Sequence, residues 1–210
     1  MYIDKVLKDK NNKYKIYSGD NYLFSLYEKE LAKFCISEGV LIEDDKIDYI
    51  SKDIIYKRAK ERALYLLESK PYTEYMLRKK LVLCGYTEAV IDQVIDFLNI
   101  YNYIDDIEYS SMYIRTYADK KSKKQIIKAL LSKGININVV KDLIEEYYSE
   151  YTSNNDDGIE SPEEECLKKQ FNKYIQGKDL CDPIIKQKVF RHFYGKGFTA
   201  DSINKLISFT

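Results

Sequence analysis

The chain has 210 residues, 45% of them hydrophobic and 32% charged, with 34 Lys and Arg against 34 Asp and Glu. That is enough apolar content for a core, in one large domain or several small ones, and the even charge gives no bulk attraction for a polyanion. Only 3 Pro and 8 Gly are present, too few for an all-β chain that turns roughly every ten residues, so helices should dominate.

No apolar run approaches membrane-spanning length and the leading "MYIDKVLKDKNNKYK" lacks an apolar signal core, which predicts a soluble, cytoplasmic protein with no membrane partner. Cys35, Cys84, Cys166 and Cys181 stand far apart with no CxxC, and His192 is the only histidine. No metal site can be assembled locally from them, so they read as buried, reduced thiols, and no cofactor is expected. The 21 Tyr are scattered through apolar faces and read as core and rim residues.

The first forty or so residues differ in texture from the rest. "YIDKVLK", "KYKIYS" and "YLFSLY" carry β-branched and aromatic residues and are separated by "DKNNK" and "SGDN", which predicts a small three-stranded antiparallel ribbon. A short helix should follow from about Glu28 to Ile36 and stop before Gly39. A long helix is predicted from Asp44 or Asp45, with Ile47, Ile50, Ile54, Ala59, Ala63, Leu66 and Leu67 on its apolar side.

Beyond it the helices have legible starts. Thr73, Thr87, Asp105 with Glu108, Ser122 with Gln125, Asn136 and Thr199 stand in N-cap positions. Ser161-Pro162, with Glu164, and Asp182-Pro183 add proline in the first turn. Asp105, Asp106 and Glu108 could be read as an enzyme's carboxylates around a divalent metal, but a helix start explains them better.

Gly85, Gly134 and Gly197 share a register. Eight residues before them stand Leu77, Ile126 and Val189; four before, Leu81, Leu130 and Phe193. Tyr86, Ile135 and Phe198 follow directly, then Ile91, Val140 and Ile203 at six and Ile95, Ile144 and Ile207 at ten. These spacings put an apolar stripe on the helix before each glycine and another on the helix after it, with the glycine supplying the left-handed turn between them. A further helix precedes each pair, at 59–68, 106–118 and about 162–176. The expected fold is therefore mainly α, tandem three-helix repeats in an elongated curved array with a small N-terminal antiparallel β-ribbon. The division is 1–42 for the ribbon and short helix, 43–104 for the long helix and first repeat, 105–150 for the second repeat, 151–161 for an acidic linker and 162–210 for the third repeat.

Charge is not evenly mixed. Residues 115–133 hold Arg115, Lys120, Lys121, Lys123, Lys124, Lys128 and Lys133 against Asp119 alone, whereas 142–165 hold ten acids and no base. Six residues before each glycine stand Lys79, Lys128 and Arg191; Lys133 and Lys196 stand one before the second and third. Stacking would line up these cations into a face for phosphates or an acidic protein groove. "YGKGF" lacks phosphate-loop spacing, and His192 has no nucleophile near it in sequence. The residues describe a binding scaffold. Helix pairs joined by a glycine turn leave open a second reading, a helix-turn-helix-like module binding single- or double-stranded DNA on its own.

"RALYLLESKPYTEYMLRKKLVLCGY", "VIDQVIDFLNIYNYIDDIEYSSMYIRTY" and "IIKALLSKGI" together resemble the RecX family of bacterial recombination regulators, and "YKIYSGDNYLFSLYEKELAKFCISEGVLI" resembles the family's leader in low-GC Gram-positive bacteria. The resemblance covers essentially the whole chain, best in the first two repeats. Asn102 departs from it, standing where the family often has glycine. The resemblance implies a non-enzymatic modulator that lodges in the groove of the RecA–single-stranded-DNA filament, mostly inhibiting recombinase and ATPase activity and the SOS response; the chain itself is expected to be a monomer. On the basic face that the repeats line up, the candidate contact residues are Lys79, Lys128 and Arg191 with Lys123 and Lys124, and then Lys133, Lys196 and Arg115.

Overall fold

The computed structural model describes residues 1–9, 12–153 and 160–208. The expected acidic linker falls largely on residues 154–159, outside the described residues. The chain forms two compact units, Met1–Asp105 and Asp106–Thr210. It is mainly helical, with three successive three-helix repeats behind a small β-ribbon.

In the first unit β1 (Lys5–Lys8), β2 (Lys13–Ser18) and β3 (Asn21–Tyr27) form an antiparallel meander. Val6 pairs with Ile16 and Ile16 with Phe24, an apolar row across the ribbon of the kind that fixes register. Helix α1 (Glu28–Lys33) is shorter than the sequence suggests. Cys35, at φ 48°, rather than Gly39, takes the left-handed position after it, and the Ile36 N–H donates back to Leu31 O at 3.0 Å. Gly39 serves elsewhere: its N–H donates to Ile3 O at 2.9 Å, and Ile42 N–H to Met1 O at 2.8 Å, which ties the chain's first residues to the segment after α1.

Helix α2 (Asp44–Tyr49) runs through a π-helical turn (Ile50–Ile55) into α3 (Tyr56–Ser69). The start is the expected one, but the buried side is Ile50, Ile55, Ala59, Ala63 and Leu66, with Ile54 only partly covered. A π turn closes i→i+5 bonds, so the five-residue step from Ile50 to Ile55 stays on one face where an α-helical reading selects Ile54. With α4 (Glu74–Leu83) and α5 (Glu88–Ile100), these residues pack into one core with Ile16, Phe24 and Leu26 of the ribbon. Asn102, at φ 53°, supplies the left-handed turn after α5, and Tyr103 N–H donates to Leu98 O at 2.8 Å. Asparagine tolerates that conformation better than other non-glycine residues, so Asn102 makes a turn at the position where the resemblance leads one to expect glycine.

The second unit holds α6 (Asp106–Tyr117), α7 (Lys123–Leu131) and α8 (Ile137–Ser153), then α9 (Pro162–Ile175), α10 (Pro183–Gly195) and α11 (Ala200–Ser208). Each trio has its own core, Ile126, Leu130 and Val140 central to one and Phe171, Val189, Phe193 and Ile203 to the other. All three glycine turns close in the same way. The N–H groups of Tyr86, Ile135 and Phe198 donate to Leu81, Leu130 and Phe193 O, and those of Gly85, Gly134 and Gly197 to Val82, Leu131 and Tyr194 O, with glycine φ between 82° and 94°. This is the paired-bond C-terminal motif that requires a left-handed residue.

Caps form at Thr73, Ser122, Asn136, Ser161, Asp182 and Thr199. Thr87 stands at the N-cap of α5, yet its side chain accepts no helix N–H; its backbone is set by the turn just before it, where Tyr86 is already tied to Leu81. Of the cysteines expected inside, only Cys166 is buried; Cys84 is half-buried and Cys35 and Cys181 are exposed, all as free thiols. Cys35 is drawn out by the left-handed turn it occupies. No helix is long and apolar enough to cross a membrane among the described residues.

Candidate functional site

The second unit carries an open basin of about 1000 Å³, lined by seven lysines and a single acid, Asp119. Local sequence builds its two walls. The capping box of Ser122 and Gln125 starts α7 and places Lys124 and Lys128 one turn apart on one side. The box of Ser161 and Glu164, with Pro162 in the first turn, starts α9 and does the same for Lys169 and Lys173. Lys120 and Lys121 come from the segment before α7, and Lys196 from the third glycine turn.

Polar contacts weld these pieces together. Ser122, fully buried, donates through Oγ to Lys196 O at 2.6 Å. Gln170 donates from Nε2 to Lys120 O at 3.0 Å, and its Oε1 accepts from Lys196 Nζ at 2.8 Å. Gly197 lies so close to α7 that an added Cβ would fall 2.5 Å from Lys124 Cβ. On the other side of α7, Lys123 N–H donates to Glu163 Oε1 at 2.8 Å, while Lys123 Nζ sits 4.0 Å from the Tyr148 ring centre.

Neutralisation inside the basin is partial. Lys121 donates to Tyr113 Oη at 2.6 Å, Lys120 lies 3.8 Å from Asp119, and Lys169 pairs with Glu165 at 2.7 Å. Lys124, Lys128 and Lys173 are exposed and, among the described residues, have no ion-pair partner. Burial pushes the Cys166 thiol in the basin lining, and the Glu163 carboxyl and Tyr148 hydroxyl on the other side of α7, above their ordinary pKa values. Tyr148 Oη is buried with no hydrogen-bond partner among the described residues.

The basin thus gathers three of the residues the sequence singles out, Lys124, Lys128 and Lys196. Lys123 is turned to Glu163 and Tyr148, and Lys133 lies 5.5 Å from the Tyr109 ring centre. Arg115 lines a small depression with Glu146 and Glu150 between α6 and α8. Arg191 is exposed on α10, outside the basin lining. In the first unit Lys79 is exposed, 4.4 Å over the Tyr75 ring. Lys169 and Lys173 are missed by sequence reasoning; the signal for them is two lysines four apart on α9, on the side away from its buried Leu167 and Phe171. Asp105 and Asp106 stand at the start of α6, and no group of three His, Cys, Asp or Glu is placed to hold a metal ion among the described residues. His192 stacks on Tyr174 at 4.0 Å, and burial with nearby Lys196 and Lys178 lowers its pKa.

A family model for the first three-helix domain of RecX matches residues 59–98. The regulatory protein RecX of Clostridium acetobutylicum is 31% identical over 200 residues, covering 95% of this chain and 91% of that protein. The chain belongs to the RecX family. The regulatory protein RecX of Clostridioides difficile is also similar, 28% identical with 99% of this chain and 96% of the relative covered. Among solved structures, a crystal structure of regulatory protein RecX superposes over all of both chains with a TM-score of 0.64 at 24% identity. RecX from Lactobacillus salivarius superposes over 73% of this chain and 94% of its own, with a TM-score of 0.59 at 23% identity. The RecX fold, a helical repeat with a small sheet, is thus that of this chain, and its relatives are regulatory proteins.

Proposed function

We propose that this RecX-family chain regulates the RecA recombinase by binding the RecA–single-stranded-DNA filament, mostly inhibiting its ATPase and strand-exchange activities and so damping the SOS response. It acts by binding, as a cytoplasmic monomer, with no chemistry of its own. The observation that carries this reading is likeness over nearly the whole chain to regulatory proteins named RecX. The exposed cations at equivalent places on α4, α7 and α10, namely Lys79, Lys128 and Arg191, support it, since such charges on successive repeats suit a partner that carries phosphates and acidic side chains.

The test is RecA's turnover of ATP on single-stranded DNA with the protein added. Turnover should fall as protein is added, and the combined Lys79→Glu, Lys128→Glu and Arg191→Glu variant should restore at least about half of it, because each reversal replaces an attraction with a repulsion. Unchanged turnover with saturating protein would sink the reading. Full inhibition by the triple variant would remove these residues from the interface.

A further inference from the structure

We infer that the basin between α7 and α9 is a sequence-independent site for the phosphodiester backbone of nucleic acid. This deepens the regulator reading and rests on it for the biological setting, while the binding itself is a property of the chain alone.

The first support is charge held without compensation. Lys124 and Lys128 on one wall and Lys173 on the other have no ion-pair partner among the described residues, and Asp119 is the single acid in the lining. Like charges facing one another across a basin repel, so the arrangement opposes folding unless an anion occupies it. The second is rigidity. Lys124 is fixed against Gly197, with no space for even a methyl group between them. Gln170 ties Lys196 and the Lys120 carbonyl to α9. The walls are therefore held apart before any ligand arrives, which lowers the ordering cost of binding.

The third is the chemistry of the lining, which separates phosphate from an acidic protein. Protein interfaces are anchored on apolar and aromatic side chains and are poor in lysine. This basin holds no aromatic ring and only Ala129 among aliphatic side chains. Nucleic-acid interfaces are polar and strongly positive. Without rings, bases have nothing to stack on, and lysines offer point charges rather than the forked donors that read base edges. What remains is contact with the backbone.

The experiment uses the full chain without recombinase and a fluorescein-labelled, mixed-sequence single-stranded oligonucleotide, followed by anisotropy across a salt series. Three unpaired lysines predict a log–log salt slope of about −2, since each neutralised phosphate of a single strand contributes about −0.7. Lys173→Gln should make that slope shallower by about 0.7. Lys124→Glu with Lys173→Glu should weaken binding by about tenfold or more, with circular dichroism unchanged because both side chains are exposed. Lys29→Glu, on the exposed side of α1 in the other unit, should leave the affinity nearly as it was. A change of oligonucleotide sequence should leave it so too, and an unlabelled duplex should compete. Binding that is salt-independent, that survives the double reversal, or that is displaced as well by poly-glutamate as by oligonucleotide would overturn the inference. If the protein inhibits RecA's ATPase yet binds no oligonucleotide, the basin inference fails and the regulator reading stands. If it binds as described and leaves the ATPase untouched, the regulator reading fails and the basin stands.

Discussion

The two units join their parts in opposite ways. In the first, the ribbon and the first repeat share one apolar core, with Ile16, Phe24 and Leu26 packed among the stripes of α3, α4 and α5. In the second, each repeat keeps its own core, and the join between them is made of Ser122, Gln170, Lys123, Glu163 and a glycine. Both joins fall on the same kind of turn. Tyr22 Oη donates to Gly85 O at 2.5 Å at the first glycine turn, and Ser122 Oγ donates to Lys196 O beside the third. In each case a hydroxyl from another element satisfies a carbonyl that the helix end leaves without a partner. Apolar joins are strong and indifferent to direction, whereas hydrogen-bonded joins fix geometry. The polar join is found where the lysine-lined basin is.

The sharpest test of this contrast is a methyl group at each turn. Gly197→Ala meets a left-handed backbone and the Cβ, Cγ and Cδ of Lys124 within 2.5 to 3.0 Å. The nearest atom is the Lys124 Cβ, which side-chain rotation does not move, so a backbone shift is needed to clear it. Conformational cost of about 1–2 kcal/mol and overpacking of about 1–3 kcal/mol together predict a loss of about 2–5 kcal/mol. At Gly85 the added carbon would meet nothing nearer than Tyr22 Oη at 3.7 Å, so Gly85→Ala should cost about 1–2 kcal/mol. Urea denaturation of both variants measures the difference. Equal losses would show that the join around α7 gives way easily, which would break the comparison.

Next in size are the hydroxyls. Ser122→Ala removes the cap of α7 and leaves the Lys196 carbonyl in a buried setting without its donor, for an expected loss of about 2 kcal/mol. Tyr22→Phe keeps the ring and loses the hydroxyl's bonds to Gly85 O and Ser25 Oγ, at about 1–2 kcal/mol. Hydrogen exchange at the two glycine turns would place each effect, with faster exchange confined to the altered turn.

The repeats and their turns were legible because they are local: a glycine with apolar residues at fixed offsets encodes both helix stripes and the reversal between them. The end of α1 was less so, since Cys35 holds a conformation that its side chain disfavours and no local rule selects it. The π turn at Ile50–Ile55 shifts the buried face by one residue, which periodicity of about 3.6 residues cannot register. The basin was half legible. Lys128 and Lys196 follow from equivalent positions before the glycines and Lys124 from the basic run at 115–133, but Lys169 and Lys173 lie on α9, and only the contact of one repeat with the next brings them opposite α7. A register that compares like with like does not see a site made from unlike helices.

The smallest expected effect concerns pH and again separates a polar join from an apolar one. Burial raises the Glu163 carboxyl above its ordinary value of 4.5, and the Lys123 N–H and ammonium pull it back. The folded chain therefore holds this proton more tightly than the unfolded chain does. The stability that the neutral form contributes is present below about 4.5 and is lost as pH rises through the raised folded value. Glu163→Gln keeps an oxygen to accept the Lys123 N–H and removes the titration. Relative to the parent, the variant should grow more stable from about pH 4 to pH 7, by less than the Ser122→Ala effect. Urea midpoints across that range measure it. A variant that instead loses ground with rising pH would show that the ion pair of Lys123 with Glu163 outweighs burial, and that the junction beside the basin is held by charge as well as by hydrogen bonds.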